Sequence, residues 1–303
     1  MHRSLVALLV CLGGCTFNVT SFSRDVTSTA SSVPAHLRSD FSDHAFPGGF
    51  GLRVDGSPTT TTASATVTVS GLLGAGVSGD AVANGVHVSW PVDANDPTTA
   101  GVAISYDGPA LETVNIEAAT VSLPSTTTLA LTMGSNDVDV NGVTGAMTIT
   151  AGSGSMHVEG AGAFTLSADS GSIDVAGSGG TASCTSGSVH FEASGAMTSH
   201  TTSGSIDGSF GDGGELSANS GSIDVELTTA LTQDLTLSAD SGSIHLVVPA
   251  GTSMQIETHT GSGSSHVDVG GVSSDDDFTG TIGSGGFTVR ATTGSGSIHI
   301  SER

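Results

Sequence analysis

The stretch ADSGSIDV (Ala168–Val175) returns almost letter for letter as ADSGSIHL (Ala239–Leu246). Related copies read CTSGSVHF (Cys184–Phe191), TTSGSIDG (Thr201–Gly208) and ANSGSIDV (Ala218–Val225). Aligned on the central glycine of Ser-Gly-Ser, the units fall at Gly154, Gly171, Gly187, Gly204, Gly221, Gly242, Gly263 and Gly296, at intervals of 17, 16, 17, 17, 21, 21 and 33 residues. Each unit carries a second alternating segment, as in AFTLSA (Ala163–Ala168), AMTSH (Ala196–His200), DLTLSA (Asp234–Ala239) and SMQIET (Ser253–Thr258). Two short strands in a near-fixed period predict an all-β chain, a parallel β-solenoid with coils of about 17–21 residues. No unit can bury its apolar residues alone, whereas stacked units share one continuous core.

The pleat assigns faces. Ile173 and Val175 point inward and Asp174 outward; Ile223, Val225 and Asp224 repeat the pattern, as do Ile244, Leu246 and His245. Gly154, Gly171, Gly187, Gly204, Gly221 and Gly242 are the expected structural turns. An earlier unit, GSNDVDV (Gly134–Val140), sets Asn136 at the glycine position. Asn tolerates positive φ better than most residues, so a left-handed corner is expected there too.

The outward position three residues after each corner reads Asp139, His157, Asp174, His190, Asp207, Asp224, His245, His266 and His299. Stacking predicts one column with neighbours about 4.8 Å apart. Two readings stand. One is a solvated face in which imidazoles relieve repulsion between stacked carboxylates. The other is divalent-metal binding, with His157, Asp174, His190, Asp207, Asp224 and His245 as candidate ligands for Zn²⁺, Ni²⁺ or Cu²⁺. In that reading an adjacent pair such as His157 and Asp174 shares an ion. No other cofactor is expected.

The formal charge of the 303-residue chain is -23, with six basic residues, all arginine. Such a surface repels phosphate backbones, which excludes nucleic acid as a partner. Aromatic residues are 4% of the chain, so the core is thin and aliphatic. Trp90 and Tyr106 are the only Trp and Tyr, which leaves few stacking platforms for sugars. Arg290 is the one basic residue inside the repeats before the final Arg303, so acidic polysaccharide substrates lack a cationic site. No GxSxG elbow is present, and Cys184 reads as a small buried residue. The expectation is a protein that is not an enzyme. Ice binding by hydroxyl columns would need threonines on a flat face, whereas the repeated serines stand at corners. The nonapeptide of calcium-stacked β-rolls is absent as well.

The N-terminus, MHRSLVALLVCLGGC (Met1–Cys15), has a basic start and an apolar run too short to span a bilayer. Its LGGC end resembles the lipobox of bacterial lipoproteins. That resemblance implies cleavage before Cys15, lipid attachment at Cys15 and anchoring in a membrane. Thr16 rather than Asp after the cysteine implies, by the same analogy, delivery to the outer membrane or cell surface. The expected organisation is a signal peptide over 1–14, a Ser/Thr-rich tether over 15–43 spanning roughly 30 Å, an irregular β region over 44–133 forming first coils or a cap, and regular repeats over 134–303. No helix is expected after the signal peptide.

The repeated SGSIDV and SGSIHL units behind an export signal resemble a bacterial β-strand-repeat family of adhesin-like proteins, also called head-domain or GIN-type. The resemblance covers about Gly134–Ile300. It implies a parallel β-solenoid at the cell surface or in the periplasm and brings no catalytic residues. The resulting expectation is a non-enzymatic, lipid-anchored cell-envelope protein that makes adhesive or protein–protein contacts. Divalent-metal binding by the Asp/His column is the alternative. Partners are a membrane, through the lipid, and a protein or matrix surface. Because SIHISER (Ser297–Arg303) ends the chain on a repeat strand, an open edge and end-to-end self-association are also expected.

Overall fold

The computed structural model describes residues 20–42, 51–73, 77–108, 114–160 and 162–303. The first part of the chain holds β1 (Thr20–Thr29), β2 (His36–Phe41), β3 (Gly51–Ser57), β4 (Ser64–Leu73), α1 (Gly79–Asn84), β5 (Val86–Ser89), β6 (Thr99–Ala100), β7 (Ala103–Tyr106) and β8 (Val114–Pro124). Strand pairs follow: β9 (Thr128–Met133) with β10 (Val138–Asn141), β11 (Met147–Ala151) with β12 (Met156–Glu159), β13 (Phe164–Ser170) with β14 (Ile173–Gly177), and β15 (Gly180–Ser186) with β16 (Val189–Ala193). The series continues with β17 (Met197–Ser203) and β18 (Ile206–Phe210), β19 (Gly214–Ser220) and β20 (Ile223–Leu227), and β21 (Leu235–Ser241) and β22 (Ile244–Val248). The last part holds β23 (Met254–Ser262), β24 (Ser265–Val269), β25 (Val272–Ser274), β26 (Thr279–Ile282), β27 (Thr288–Ser295) and β28 (Ile298–Glu302).

The two strands of each coil go to different sheets. Sheet A runs β1-β4-β8-β3-β10-β12-β14-β16-β18-β20-β22-β28-β24-β25, and sheet B runs β6-β2-β9-β11-β13-β15-β17-β19-β21-β27-β23-β26. The chain is therefore the expected all-β solenoid, flattened into two sheets. Within the regular part the pairing is parallel and in register: Ile173 lies opposite Val189, Val189 opposite Ile206, Ile206 opposite Ile223, and Ile223 opposite Ile244. These residues are buried and belong to one core that extends from Phe22 to Ile300. Register is strongly fixed, because a one-residue slip would turn every aliphatic outward. Phenylalanines interrupt the aliphatic filling, and two of them, Phe191 and Phe210, meet edge to face, with ring centroids 5.9 Å apart.

The Ser-Gly-Ser corners show why glycine repeats. Gly204 has φ +153°, and a Cβ there would lie 1.9 Å from the Gly187 carbonyl oxygen of the coil beneath. Gly171, Gly187 and Gly221 are built alike. Gly154 and Gly242 are not among the positive-φ glycines, yet a Cβ on either would also meet a backbone oxygen, at 1.9 and 2.0 Å. Asn136 departs from its expected left-handed corner, since no non-glycine residue among those described has positive φ. From Ser188 to Ser243 the second serine of the motif stitches coils together. Ser188 Oγ accepts from Ser205 N, Ser205 Oγ from Ser222 N, and Ser222 Oγ from Ser243 N, each at 3.3 Å.

Both ends correct the sequence reading. The expected tether over 15–43 contains β1 and β2. Thr20–Thr29 pairs antiparallel with β4, and His36–Phe41 pairs parallel with β9. Phe22, Leu37 and Phe41 are buried, so this stretch is part of the fold. The irregular region over 44–133 turns out to be first coil and cap together: β2 and β3 form a coil beneath β9 and β10, while β8, β4 and β1 extend sheet A beyond it. β9, expected in that irregular region, already stacks in register on β11. Among the described residues one helix is present, α1, six residues long and N-capped by the Ser78 side chain, which accepts from Ala81 N. It is too short to show a helical period.

At the other end the chain does not stack coils in sequence order. After β24 it forms β25 antiparallel to β24 and β26 antiparallel to β23. It then returns and lays β27 between β21 and β23, and β28 between β22 and β24. The interval of 33 residues between Gly263 and Gly296 is this capping excursion. The strand expected at an open edge is thus interior, which removes the basis for end-to-end pairing through SIHISER.

Candidate functional site

The register gathers the outward Asp and His residues into one column on sheet A. It reads Arg53, Asp139, His157, Asp174, His190, Asp207, Asp224, His245, His299 and His266. Two details differ from the sequence reading. Arg53, from the region without visible repeat, begins the column. His299 stands before His266, because β28 is inserted ahead of β24.

Most rungs are coupled in twos. His157 Nδ1 lies 3.1 Å from Asp174 Oδ2, and His190 Nδ1 lies 2.5 Å from Asp207 Oδ2. His245 Nδ1 lies 2.9 Å from Asp224 Oδ1, and His266 Nδ1 lies 2.6 Å from Asp275 Oδ1 in the turn after β25. A carboxylate only accepts, so each Nδ1 carries the hydrogen and donates it. Arg53 closes the far end on Asp139 at 3.4 Å and on Asp55 at 2.9 Å, contacts that hold its guanidinium further above its ordinary value. All these side chains are substantially exposed, so solvent screens each pair and each contributes little to stability.

His157 and Asp174 share a hydrogen bond, and among the described residues no group of three or more His, Cys, Asp or Glu side chains converges to hold a metal ion. One short run breaks the alternation. His245, His299 and His266 are consecutive, with ring centroids 5.2 and 5.1 Å apart and rings nearly perpendicular. Packing between two rings strips water from the His299 imidazole. Together with the charges of His245 and His266, that holds it below the usual histidine value, against the opposing pull of Asp268.

The outer face of sheet B is chemically different, and the sequence reading missed it. Register stacks Thr148, Thr165, Thr181 and Thr198 in one row, and Thr132, Thr150, Ser167 and Ser183 in the next. Rows are about 4.8 Å apart across strands and about 6.7 Å apart along them. The Ser-Gly-Ser serines do stand at corners, and these rows add a second set of hydroxyls on the outer face of sheet B, between Asp40 beside Thr132 and Glu215 beside Thr198. The signal was present in MTIT, FTLS and GTAS, each with hydroxyl residues two apart, but the eye follows the stronger Ser-Gly-Ser motif.

Cys184 occupies a core position on sheet B and is 2% exposed. Its thiol donates to the Gly171 carbonyl at 2.8 Å, and burial pushes its pKa up, away from nucleophilic use. Cys15 and the signal segment over 1–14 lie outside the described residues. Among the described residues, no helix is long and apolar enough to cross a membrane.

Fold and faces together define a two-sheet β-solenoid whose outward chemistry is repeated coil by coil. The family profile described as Toastrack DUF4097 matches residues 121–301, and the chain belongs to that family. No curated protein matches it. Among solved structures, a "putative cell adhesion protein" from Clostridium sporogenes is similar at 10% identity, with 93% of this chain and 100% of that one covered and a TM-score of 0.27. A "putative adhesin" from Bacteroides fragilis is similar at 11% identity, covering 91% and 97%, with a TM-score of 0.32. Another from Parabacteroides distasonis reaches 10% identity, 94% and 97% coverage, and a TM-score of 0.28.

Proposed function

We propose that this protein is a non-enzymatic component of the cell envelope that displays its solenoid for adhesion to a protein or matrix surface. The observation that carries this reading is the pair of hydroxyl rows on the outer face of sheet B, which together span the five coils from Thr132 to Thr198 on a chain of net charge -23. An extended, hydrogen-bonding surface whose rows carry no charge suits contact with another extended surface. The His–Asp couples of sheet A stand in a repeated, exposed ladder, which suits a solvated face more than a single reactive centre. Membership of a repeat family agrees with such a role. Metal binding by the column draws no comparable support, because its donors are engaged with one another.

The proposal includes lipid attachment at Cys15 and residence at the outer membrane or cell surface. With β1 beginning at Thr20, five residue steps reach at most about 17 Å. The β1 end of the solenoid would then lie close to the membrane, and the β25–β26 end would point away from it. Two measurements test the reading. Purified protein should bind an immobilised extracellular matrix preparation. Thr165→Arg combined with Thr181→Arg should weaken that binding at least about tenfold, while His190→Gln leaves it unchanged. Equal binding by both variants would refute the hydroxyl face as the contact surface. Metabolic labelling with a radioactive fatty acid should mark the parent and not Cys15→Ser.

A further inference from the structure

The C-terminal strand pair β27–β28 occupies a gap within the stack. The coil formed by β23 and β24 is made first along the chain, and residues 288–302 then complete the stack between it and the coil of β21 and β22. Several contacts hold this inserted pair. Glu302 accepts from Gly251 N at 2.5 Å and from Gly270 N at 2.8 Å, clasping loops on either side. Arg303 pairs with Glu226, and its amide donates to the Val248 carbonyl at 3.1 Å. On the other sheet Arg290 bonds Glu257 at 2.8 Å.

The same insertion places His299 between His245 and His266, the place in the column where imidazole follows imidazole. His245 has Asp224 as partner and His266 has Asp275, while His299 has a ring on each side. We propose that β27–β28 is an acid-sensitive latch, closed while His299, held between two rings, is neutral and loosened when it takes up a proton. The charged groups facing His299 are His245 on β22, with Asp224 beyond it, and His266 and Asp268 on β24, with Asp275 beyond. On its own strand Glu302 and Arg303 follow.

The sign is set by where the protons go. Folding holds His299 below its ordinary value, so the unfolded latch binds the proton more readily. The stability it contributes is present above about pH 6.5, the free-histidine value, and is lost as pH falls through the folded one. Glu302 gives a separate and lower window. The N–H donors of Gly270 and Gly251 hold its carboxylate below its ordinary value. Its clasp therefore persists throughout the histidine range and is lost only in stronger acid.

Hydrogen exchange of the full chain, corrected for intrinsic rates, tests this at pH 7.5 and 5.5. Peptides covering 288–302 should lose protection at least about fivefold at the lower pH, while those covering β13–β18 keep theirs. His299→Gln should abolish the difference. His190→Gln, in a coupled rung elsewhere in the column, should leave it intact. Uniform loss of protection along the solenoid of the parent protein, a result that needs no variant, would overturn the proposal. Retention of the full pH effect in His299→Gln would overturn it as well.

Discussion

Substitution of one methyl group at a corner should cost more than removal of most side chains on either face. Consider Gly204→Ala. The backbone at 204 has φ +153°, and the new Cβ would stand 1.9 Å from the Gly187 oxygen and 2.5 Å from its carbonyl carbon. An ordinary carbon–oxygen contact is longer by more than an ångström, so the coils must part locally or the corner must rotate. Rotation disturbs the ladder bonds on both sides, Gly187 N to Ser203 O at 3.0 Å and Gly204 N to Ser220 O at 3.0 Å. Strain at a glycine-type φ contributes about 1–3 kcal/mol, and overpacking adds about 1–3 kcal/mol. A central value near 4 kcal/mol corresponds to a melting point lower by roughly 8–16 °C. Because coils interact mainly with their neighbours, loss of hydrogen-exchange protection should be concentrated in β15–β20 and fade toward both ends. Gly251→Ala is the control. Its φ is +73°, but nothing lies within 4 Å of a Cβ there, so it should cost only about 1 kcal/mol. Calorimetry of both variants decides the matter. If Gly204→Ala melts within about 2 °C of the parent, the close approach of stacked corners is not what selects glycine.

Two further expectations concern the core. Ser199 is buried in β17, between Ala182 and Leu216 of the adjoining strands, and its hydroxyl has no hydrogen-bond partner. Ser199→Ala should therefore stabilise the protein by about 1 kcal/mol, read as a higher urea midpoint with an unchanged slope; destabilisation would mean that the hydroxyl is satisfied. Cys184 donates to Gly171 O as Thr293 donates to the corresponding corner oxygen of Gly242. Cys184→Thr should accordingly hold stability within about 1 kcal/mol, whereas Cys184→Val, of the same shape but without a donor, should cost about 1–2 kcal/mol more by the same assay. Equal stability of the two would show that the corner oxygen needs no partner.

The regular part of the fold was legible because each coil repeats the same local instructions. A glycine corner, an inward aliphatic pair and an outward polar residue recur at a spacing that only stacking explains. What escaped the sequence depended on long-range topology. Nothing local in Thr288–Arg303 says that it is inserted between two earlier coils, because its SGSIHI reads like any other repeat. Residues 20–41 look like a tether because Ser and Thr dominate, yet Phe22, Leu37 and Phe41 are buried and join these strands to the core. Arg53 was invisible as a column member because its coil lacks Ser-Gly-Ser; only the pairing of β3 with β10 places it beside Asp139.

The same logic explains the Asp/His alternation. In-register parallel stacking obliges each outward side chain to meet its equivalent about 4.8 Å away. A column of carboxylates alone would set neighbouring charges against each other at nearly 1 kcal/mol per pair even in water. That repulsion would accumulate on a chain already carrying -23. Imidazole is polar, fits the same pleat and donates to a carboxylate without needing a charge of its own. The column leaves one carboxylate directly over another, Asp207 beside Asp224. There His190 bonds Asp207 from one side and His245 bonds Asp224 from the other. Each acid of the unavoidable pair thus turns toward an imidazole and away from its twin, which is what a ladder selected for stacking would do at the one place where carboxylate follows carboxylate.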